Sequence, residues 1–447
     1  MTADPTTPTT RRGRPALRAA VVVAVGAGLL AALGPTAVAE PAGRPGAAGC
    51  GDPHGSIAVD PAAADGPERH SDWKAADAAL AGLTDPGYST SALAAVREDG
   101  RLVWRNATGV AELTTGEPAD PEGRFRIGST TKTFVATVLL QLVGEHRLDL
   151  DDRLECLLPG IVPNSSDITV RQLLDHTSGV ADYTQGPAFD SHRPEWAADG
   201  RFRHFGLKDL VDLANTYPPA FPPGRDWQDS ATDYVLIGMV IEKLTGHGWN
   251  DEVTRRIIRP LGLTGTWMPG DSPFVPCPHA HGYLRTGTGP ADVTLLDPSA
   301  AGPAGGGIST TADLTRFLDA LLGGRLLHPA ELAAMQQTTA NGEGRTYGLG
   351  LQRLDTPCGS FWGHAGDVPG YRTMMFGSPD GKRQFAANTT AYAANTTVDN
   401  TRTTGHDTPG AASATAAADA AWHEVATTAL CGTGTATALP GRSPLTL

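Results

Sequence analysis

One stretch of the sequence places a hydroxyl and an amine three residues apart at the head of an apolar run. Ser129 and Lys132 stand at a spacing that puts both side chains on one helix face. The apolar positions that follow recur every three or four residues: Phe134, Val135, Val138, Leu139 and Leu142. This pattern predicts a buried helix with Ser129 at its beginning.

The Ser-x-x-Lys spacing has two interpretations. A serine hydroxyl is a weak nucleophile without a neighbouring base, so Lys132 is a candidate proton partner that activates Ser129. The alternative is a capped helix with a surface lysine, because this spacing occurs by chance in many proteins. The choice depends on the other motifs of the chain.

The N-terminal segment has the pattern of an export signal. Four arginines, Arg11, Arg12, Arg14 and Arg18, precede an uncharged apolar run over 19–33, and small residues follow before Glu40. The run has fifteen residues, fewer than the roughly 20 that cross a bilayer. We therefore expect secretion with cleavage after Ala39 and no stable membrane insertion.

The rest of the chain predicts a mixed α/β fold with an inserted helical lobe. Residues 40–70 are rich in Pro, Gly and Ala and predict a flexible leader, and residues 432–447 predict a disordered tail. Strand patterns on both sides of a helical region predict an α/β domain of residues 71–128 and 300–431. The helical lobe then spans residues 129–299.

Individual elements follow from periodicity and turn residues. The N-terminal half predicts a helix over 73–83 and a hairpin whose strands, 92–96 and 102–104, turn at Asp99-Gly100. The predicted helices of the middle region are 168–174, 207–214, 234–244 and 309–322. The predicted C-terminal elements are strands 348–351, 372–376 and 382–387 and a final helix, 417–430.

Composition narrows the possible partners. The net charge of −13 argues against nucleic acid and anionic membranes as targets. The five cysteines allow two disulfides and one free thiol in an exported protein, and their spacings match no metal site.

Three ordered motifs give the chain a family resemblance. They are the Ser129-to-Lys132 motif, Leu174-Asp175-His176-Thr177-Ser178-Gly179 and Gly363-His364-Ala365-Gly366. With them the chain resembles the penicillin-recognising serine hydrolases, which include the secreted serine D-alanyl-D-alanine carboxypeptidases and class C β-lactamases. The resemblance implies an antiparallel sheet flanked by helices, with an inserted all-helical lobe.

The same resemblance implies residue roles. Ser129 would be the acylated nucleophile, Lys132 its proton partner, and His364 a catalytic residue on an edge strand. The backbone N–H groups of Ser129 and Asp367 would form the oxyanion hole. His176 belongs to a scaffold motif and is expected to fix a turn. The implied partner is a small peptide, ester or lactam, bound by a monomer without a cofactor or metal.

The sequence departs from the family at the Tyr-x-Asn motif, which falls on Asp229-Ser230-Ala231. Ala231 cannot bind the substrate carbonyl as the family asparagine does. Asp229 would place a carboxylate beside Lys132, with an attraction on the order of 4 kcal/mol at ~4 Å. A lysine held in its charged form cannot accept the serine proton, so we expect a slower or redirected hydrolase.

The groups that hold a terminal carboxylate in the carboxypeptidases are changed as well. The two threonines that flank the motif glycine, here Gly366, become Ala365 and Asp367, and the upstream arginine becomes Gln352. Arg353 is one residue out of register and would point to the opposite face. Because Asp367 would repel a carboxylate, an ester, amide or cationic substrate is more compatible.

The resemblance also implies a disulfide between Cys358 and Cys431. A second bridge between Cys156 and Cys277 is possible, with Cys50 as the odd thiol. The predicted function is acyl-serine hydrolysis of peptidase, esterase or lactamase type. The alternative is a non-catalytic relative that binds cell-wall peptide or a protein partner in the same cleft.

Overall fold

The computed structural model of the protein describes residues 73–84, 88–191, 193–286, 289–340, 346–391 and 411–432. All of them belong to one compact unit, His54–Leu447. The predicted export signal, the leader, residues 433–447 of the tail and Cys50 lie outside the described residues.

An eight-stranded antiparallel sheet runs through the molecule in the order β2-β1-β12-β11-β10-β9-β8-β7. The bounds of its strands are β1 Ser89–Glu98, β2 Arg101–Gly109, β7 Thr339–Ala340, β8 Thr346–Tyr347, β9 Gln352–Thr356, β10 Gly359–Val368, β11 Tyr371–Gly377 and β12 Arg383–Ala391. The N-terminal hairpin thus joins the C-terminal strands in one sheet, as the sequence predicts, with Ala94 opposite Ala387.

Two short antiparallel pairs lie outside this sheet. They are β3 Phe125–Arg126 with β6 Ile308–Ser309, and β4 Tyr283–Thr286 with β5 Gly289–Asp292. The second pair shows that the predicted lobe 129–299 is mostly helical but also contains one small hairpin.

The helices of the described residues confirm most of the predicted ones. Their bounds are α1 Lys74–Gly82, α2 Thr131–Gly144, α3 Leu154–Leu157, α4 Val170–Leu174, α5 Pro194–Ala198, α6 Leu207–Ala214, α7 Ala231–Thr245, α8 Trp249–Val253, α9 Arg259–Leu261, α10 Gly302–Gly305, α11 Thr311–Leu322, α12 Pro329–Met335 and α13 Ala411–Cys431. α7 ends at Gly246, whose φ of 75° is favourable only for glycine. No helix of the described residues is long and apolar enough to span a bilayer.

Helix α2 is the central helix of the core. All five apolar positions predicted for it are fully buried. The rings of Phe134 on α2 and Phe317 on α11 stack with centroids 3.7 Å apart. Eleven of the fourteen residues of α2 are buried, so the helix is enclosed between the sheet and the helical region over most of its length.

The other face of the sheet carries a second apolar cluster under α1 and α13. It includes Leu80, Trp104, Phe385 and Trp422, each at most 3% exposed. The sheet is therefore covered on both faces, which explains why its central strands are buried on both sides.

Two sequence predictions are wrong in detail, and a third holds only in part. Residues 348–351 do not form a strand but connect β8 to β9, because Gly350 has a φ of 81° and its α-carbon packs against α2. β10, which carries His364, lies between β9 and β11, but its pairing with β9 ends at Gly363, so the segment from His364 to Val368 is paired with β11 alone. The final helix also begins earlier than predicted, at Ala411.

The disulfide prediction is confirmed for one pair and fails for the other. Cys358 and Cys431 are bonded across 73 residues, which ties α13 to the β9–β10 turn. Cys277 is disulfide-bonded, whereas Cys156 carries a free, exposed thiol. The bridge between Cys156 and Cys277 therefore does not form.

Strand β10 touches the turn that carries Ser129 through backbone alone. This turn, Gly128–Thr130, precedes α2. A Cβ on Gly366 would lie 2.3 Å from the Ile127 carbonyl oxygen and 2.7 Å from the Ser129 nitrogen. A Cβ on Gly128, whose φ is 53°, would lie 2.7 Å from the Asp367 nitrogen. Glycine is therefore required on both sides of this contact.

We expect Cys358→Ser to lower the free energy of unfolding by about 2–4 kcal/mol, since the bond closes a long loop in the unfolded chain. Urea denaturation under non-reducing conditions measures the change. Cys156→Ser, which removes an exposed thiol with no bond, is the matched control and should leave the midpoint unchanged. Equal stability of all three proteins would contradict the prediction.

We expect Gly366→Ala to lower the free energy of unfolding by about 1–3 kcal/mol, because the added methyl group pushes β10 away from the Ser129 turn. Gly82→Ala is the control, since nothing lies within 4 Å of a Cβ at Gly82. Thermal denaturation of both variants checks this, and a Gly366→Ala protein as stable as the control would show that the strand and the turn are not in contact.

Candidate active site

Ser129 and Lys132 lie together as the sequence predicts. Lys132 Nζ is 3.3 Å from Ser129 Oγ and donates a hydrogen bond to it. Ser129 is partly exposed, whereas the Lys132 side chain is only 3% exposed. The serine is thus accessible to a substrate and the amine is enclosed beside it, which excludes the surface-lysine interpretation.

Asp229, the residue in place of the family tyrosine, pairs directly with Lys132. Its Oδ1 is 2.7 Å from Lys132 Nζ, and its side chain is 15% exposed. Burial opposes ionisation of Asp229, but the charge of Lys132, the contact with His176 and the hydrogen bond from Lys132 together outweigh it, so the pKa of Asp229 lies well below its ordinary value. The predicted pairing of Asp229 with Lys132 is therefore present, with Asp229 ionised at neutral pH.

His176 lies behind this ion pair and is fully buried. Its Nε2 is 3.3 Å from Asp229 Oδ1, and its Nδ1 is 2.9 Å from Asp233 Oδ2. Burial lowers the pKa of His176 to about 3, so the ring is neutral. The sequence predicts a scaffold role for this histidine, and the structure adds that it connects two carboxylates next to Lys132.

His364 is held inside the protein by two contacts. Its Nε2 is 2.9 Å from the hydroxyl of Tyr347, and its Nδ1 contacts the carbonyl oxygen of Ala365. Burial and the charge of Lys132 lower the pKa of His364 to about 4. Since a carbonyl only accepts, Nδ1 carries the proton and Nε2 accepts from Tyr347.

The backbone of β10 faces the serine where the family places the oxyanion hole. The close approach of Gly128 to the Asp367 nitrogen, and of Gly366 to the Ser129 nitrogen, brings these two backbone groups to one side of the turn. The oxyanion hole of Ser129 and Asp367 stays a prediction from the sequence, which this proximity is compatible with.

The Asp367 side chain is about a quarter exposed and lies 3.9 Å from the guanidinium of Arg372, its cross-strand neighbour. Arg372 also donates a hydrogen bond to Asp419 on α13 at 3.0 Å. Burial raises the pKa of Asp367 to about 6, although the charge of Arg372 acts in the opposite direction. Asp367 is therefore a carboxyl group that titrates close to neutral pH.

The predicted substrate-binding positions have other partners in the structure. Gln352 Oε1 accepts a hydrogen bond from the Ala365 backbone at 3.0 Å. Arg353 pairs with Asp355, two residues further on β9 and so on the same strand face. Ala231 is the first residue of α7 and packs against the core. None of these three side chains offers a fixed cation to a substrate carboxylate.

Sequence reasoning missed Tyr347 and Asp233, and it named Ser178 as part of a motif without giving it a role. Asp233 lies in the first turn of α7, where an acidic residue ordinarily complements the helix dipole, so its burial beside His176 gives no sequence signal. Ser178 and Asp233 are 55 positions apart and share a buried hydrogen bond. Among the described residues, no group of three or more His, Cys, Asp or Glu is arranged to hold a metal ion.

Solved structures with the same fold have been found by comparison. A D-stereospecific amidohydrolase from Streptomyces sp. has a TM-score of 0.67 and 39% identity, over 72% of this chain and 94% of that chain. The D-amino acid amidase of Ochrobactrum anthropi SV3 has a TM-score of 0.63 and 26% identity, over 71% of this chain and 93% of that one.

Curated relatives point to the same family. Penicillin-binding protein 4 of Amycolatopsis lactamdurans is 32% identical over 248 residues, which are 52% of this chain and 62% of that protein. The chain spans only about three fifths of the length of the first curated relatives it matches. Other relatives are named as an esterase and a D-aminopeptidase. The family model described as Beta-lactamase matches residues 76–410, and the chain therefore belongs to the beta-lactamase family of serine hydrolases.

Proposed function

We propose that this protein hydrolyses amides or esters of D-amino acids through an acyl enzyme on Ser129. The observation that carries the proposal is the contact of Lys132 Nζ with Ser129 Oγ at 3.3 Å, beside the backbone groups of Ser129 and Asp367. The substrate class is supported by the printed names of two structural neighbours, a D-stereospecific amidohydrolase and a D-amino acid amidase.

The Lys132–Asp229 pair would move the proton of the serine. As Ser129 Oγ attacks the substrate carbonyl, its proton passes to Lys132, and Lys132 passes one of its own protons to Asp229 at 2.7 Å. When the carbonyl–leaving-group bond breaks, Lys132 donates one proton to the leaving amine or alcohol and takes back the proton that Asp229 accepted. Water then attacks the acyl enzyme in the same way and releases the acid.

This proton transfer is uphill, because Lys132 holds Asp229 in its ionised form. We therefore propose an attenuated rate, with a preference for substrates whose leaving group needs little protonation. An ester meets that condition better than an amide, which makes an esterase the second candidate function. The third candidate is a catalytically impaired relative that binds cell-wall peptide or a partner.

Carboxypeptidase action on a free D-Ala-D-Ala terminus is the least supported substrate choice. Gln352 is engaged with the Ala365 backbone, Arg353 with Asp355, and Asp367 carries a negative charge above pH about 6. Export with cleavage near Ala39 and a monomeric state stay predictions from the sequence.

We expect a fluorophosphonate probe to label Ser129 and Ser129→Ala to abolish both labelling and turnover. Purified protein is assayed with matched D- and L-phenylalanine amides and p-nitrophenyl esters, with the labelled peptide identified by mass spectrometry. Ser360→Ala, at the far end of β10, is the control and should label normally. Cleavage of esters alone would favour the esterase, and no labelling of the parent protein would contradict the enzyme proposal.

We expect the Asp367 carboxyl to set a pH dependence of substrate choice. Its pKa of about 6 means that the side chain is neutral below that pH and anionic above it. The measured quantity is the ratio of kcat/KM for a D-amino acid amide with a free ammonium to kcat/KM for its N-acetyl analogue. This ratio should rise about fivefold from pH 5 to pH 7, which is the size of effect expected for one exposed ion pair.

In Asp367→Asn this ratio should stay flat across the same pH range, because the amide does not titrate. Asp380→Asn removes an exposed carboxylate in the β11–β12 turn and should behave as the parent protein. A ratio that rises equally in all three proteins would show that the Asp367 side chain does not face the substrate.

A further inference from the structure

The ring of His176 has a crowded Nδ1 atom. The carboxyl oxygen Oδ2 of Asp233 lies 2.9 Å from it, and the backbone nitrogen of Ser230 lies 3.3 Å from it with hydrogen-bond geometry. On the other side of the ring, Nε2 is 3.3 Å from Asp229 Oδ1, an electrostatic contact without hydrogen-bond geometry. The two contacts of Nδ1 determine where the protons are.

A backbone N–H only donates, so the Ser230 contact requires a lone pair on Nδ1. The neutral ring then carries its proton on Nε2, facing Asp229. An ionised Asp233 would place a carboxylate lone pair against the lone pair of Nδ1 at 2.9 Å. The contact is attractive only when Asp233 Oδ2 itself carries a proton and donates it.

The second oxygen of Asp233 agrees with this pattern. Oδ1 accepts a hydrogen bond from the hydroxyl of Ser178, as the carbonyl oxygen of a carboxylic acid would. The Asp233 side chain has no exposed surface, and no cation lies within ion-pair distance other than His176 itself among the described residues. Burial raises the pKa of Asp233 well above its ordinary value, which is consistent with a neutral acid at pH 7.

We propose that Asp233 is a permanently protonated acid that fixes the tautomer of His176, and that the two are positioning residues for Asp229. Asp233 donates to Nδ1, which keeps the ring proton on Nε2. A proton on Nε2 lies close to Asp229 and stabilises its carboxylate electrostatically rather than through a hydrogen bond, while Lys132 donates a hydrogen bond to Asp229 from the side of the serine. The effect on catalysis rests on the proposed function of Ser129, whereas the protonation pattern does not.

The protonation pattern is measured on the unmodified protein by ¹⁵N NMR of histidine-labelled material. His176, assigned by the loss of its signals in His176→Gln, should show a protonated Nε2 and an unprotonated Nδ1 at every pH from 5 to 8. A ring protonated at Nδ1, or an imidazolium, would overturn the proposal whether or not the protein is an enzyme.

Two variants of Asp233 test its role in positioning Asp229. Asp233→Leu removes the donor and should lower kcat at least tenfold with little change in KM. Asp233→Asn supplies an N–H to Nδ1 and a carbonyl to Ser178, so it should recover most of the lost kcat and retain the His176 tautomer.

If Asp233→Asn were as impaired as Asp233→Leu, the acid would be needed in its ionised form and the proposal would be wrong. If Asp233→Leu does not fold, the proposal is tested by ¹⁵N NMR of Asp233→Asn alone. A His176 ring without a proton on Nε2 in that variant would overturn the proposal. An unmodified protein without turnover, but with the expected tautomer, would reject the proposed function alone.

Discussion

The active site depends on a lysine that is taken out of water. Lys132 lies on a largely buried helix of the core, and a charged group at that depth requires a partner of opposite charge. Asp229 is that partner, and it is itself partly enclosed. Since an unpaired charge at this depth is strongly unfavourable, the ion pair fixes how the segment before α7 approaches the beginning of α2.

The ion pair also explains why the polar residues behind it are buried. Asp229 needs a second contact to hold its orientation, and His176 approaches it at 3.3 Å. The backbone of His176 has a φ of 63°, a conformation that residues other than glycine rarely adopt. This backbone is retained because Asp233, Ser230 and Asp229 surround the ring on both sides.

The sequence predicts the elements of the fold well where periodicity and turn residues agree. The apolar spacing of α2, the Asp99-Gly100 hairpin and the Gly246 end of α7 are each local signals, and each is confirmed. It fails at 348–351, where alternating Gly and Leu resemble a strand but the backbone at Gly350 is left-handed. Strand order cannot be derived from local patterns either: β10 lies between β9 and β11, and only its segment from His364 onward lacks a partner on the β9 side.

The sequence predicts contacts in the site only between residues that belong to recognisable motifs. Asp229 and Lys132, 97 positions apart, are expected to meet because the family motifs align around them, and they do. Tyr347 and Asp233 carry no such signal, since their contacts with histidines arise only when β8 and α7 are packed. A tyrosine next to a turn and an acid in the first turn of a helix are ordinary features of a sequence.

The replacement of the family tyrosine by Asp229 has opposite effects on proton removal from Ser129 and on the binding of a cationic substrate. A carboxylate beside Lys132 stabilises the ammonium, which weakens proton removal from Ser129, but it also adds negative charge near the substrate. With Asp367 ionised above pH about 6, the cleft would favour a substrate that carries an ammonium over one that carries a carboxylate. An amide or ester of a free D-amino acid has that ammonium and lacks the terminal carboxylate, so Asp229 and Asp367 together account for the proposed attenuation and the proposed substrate class.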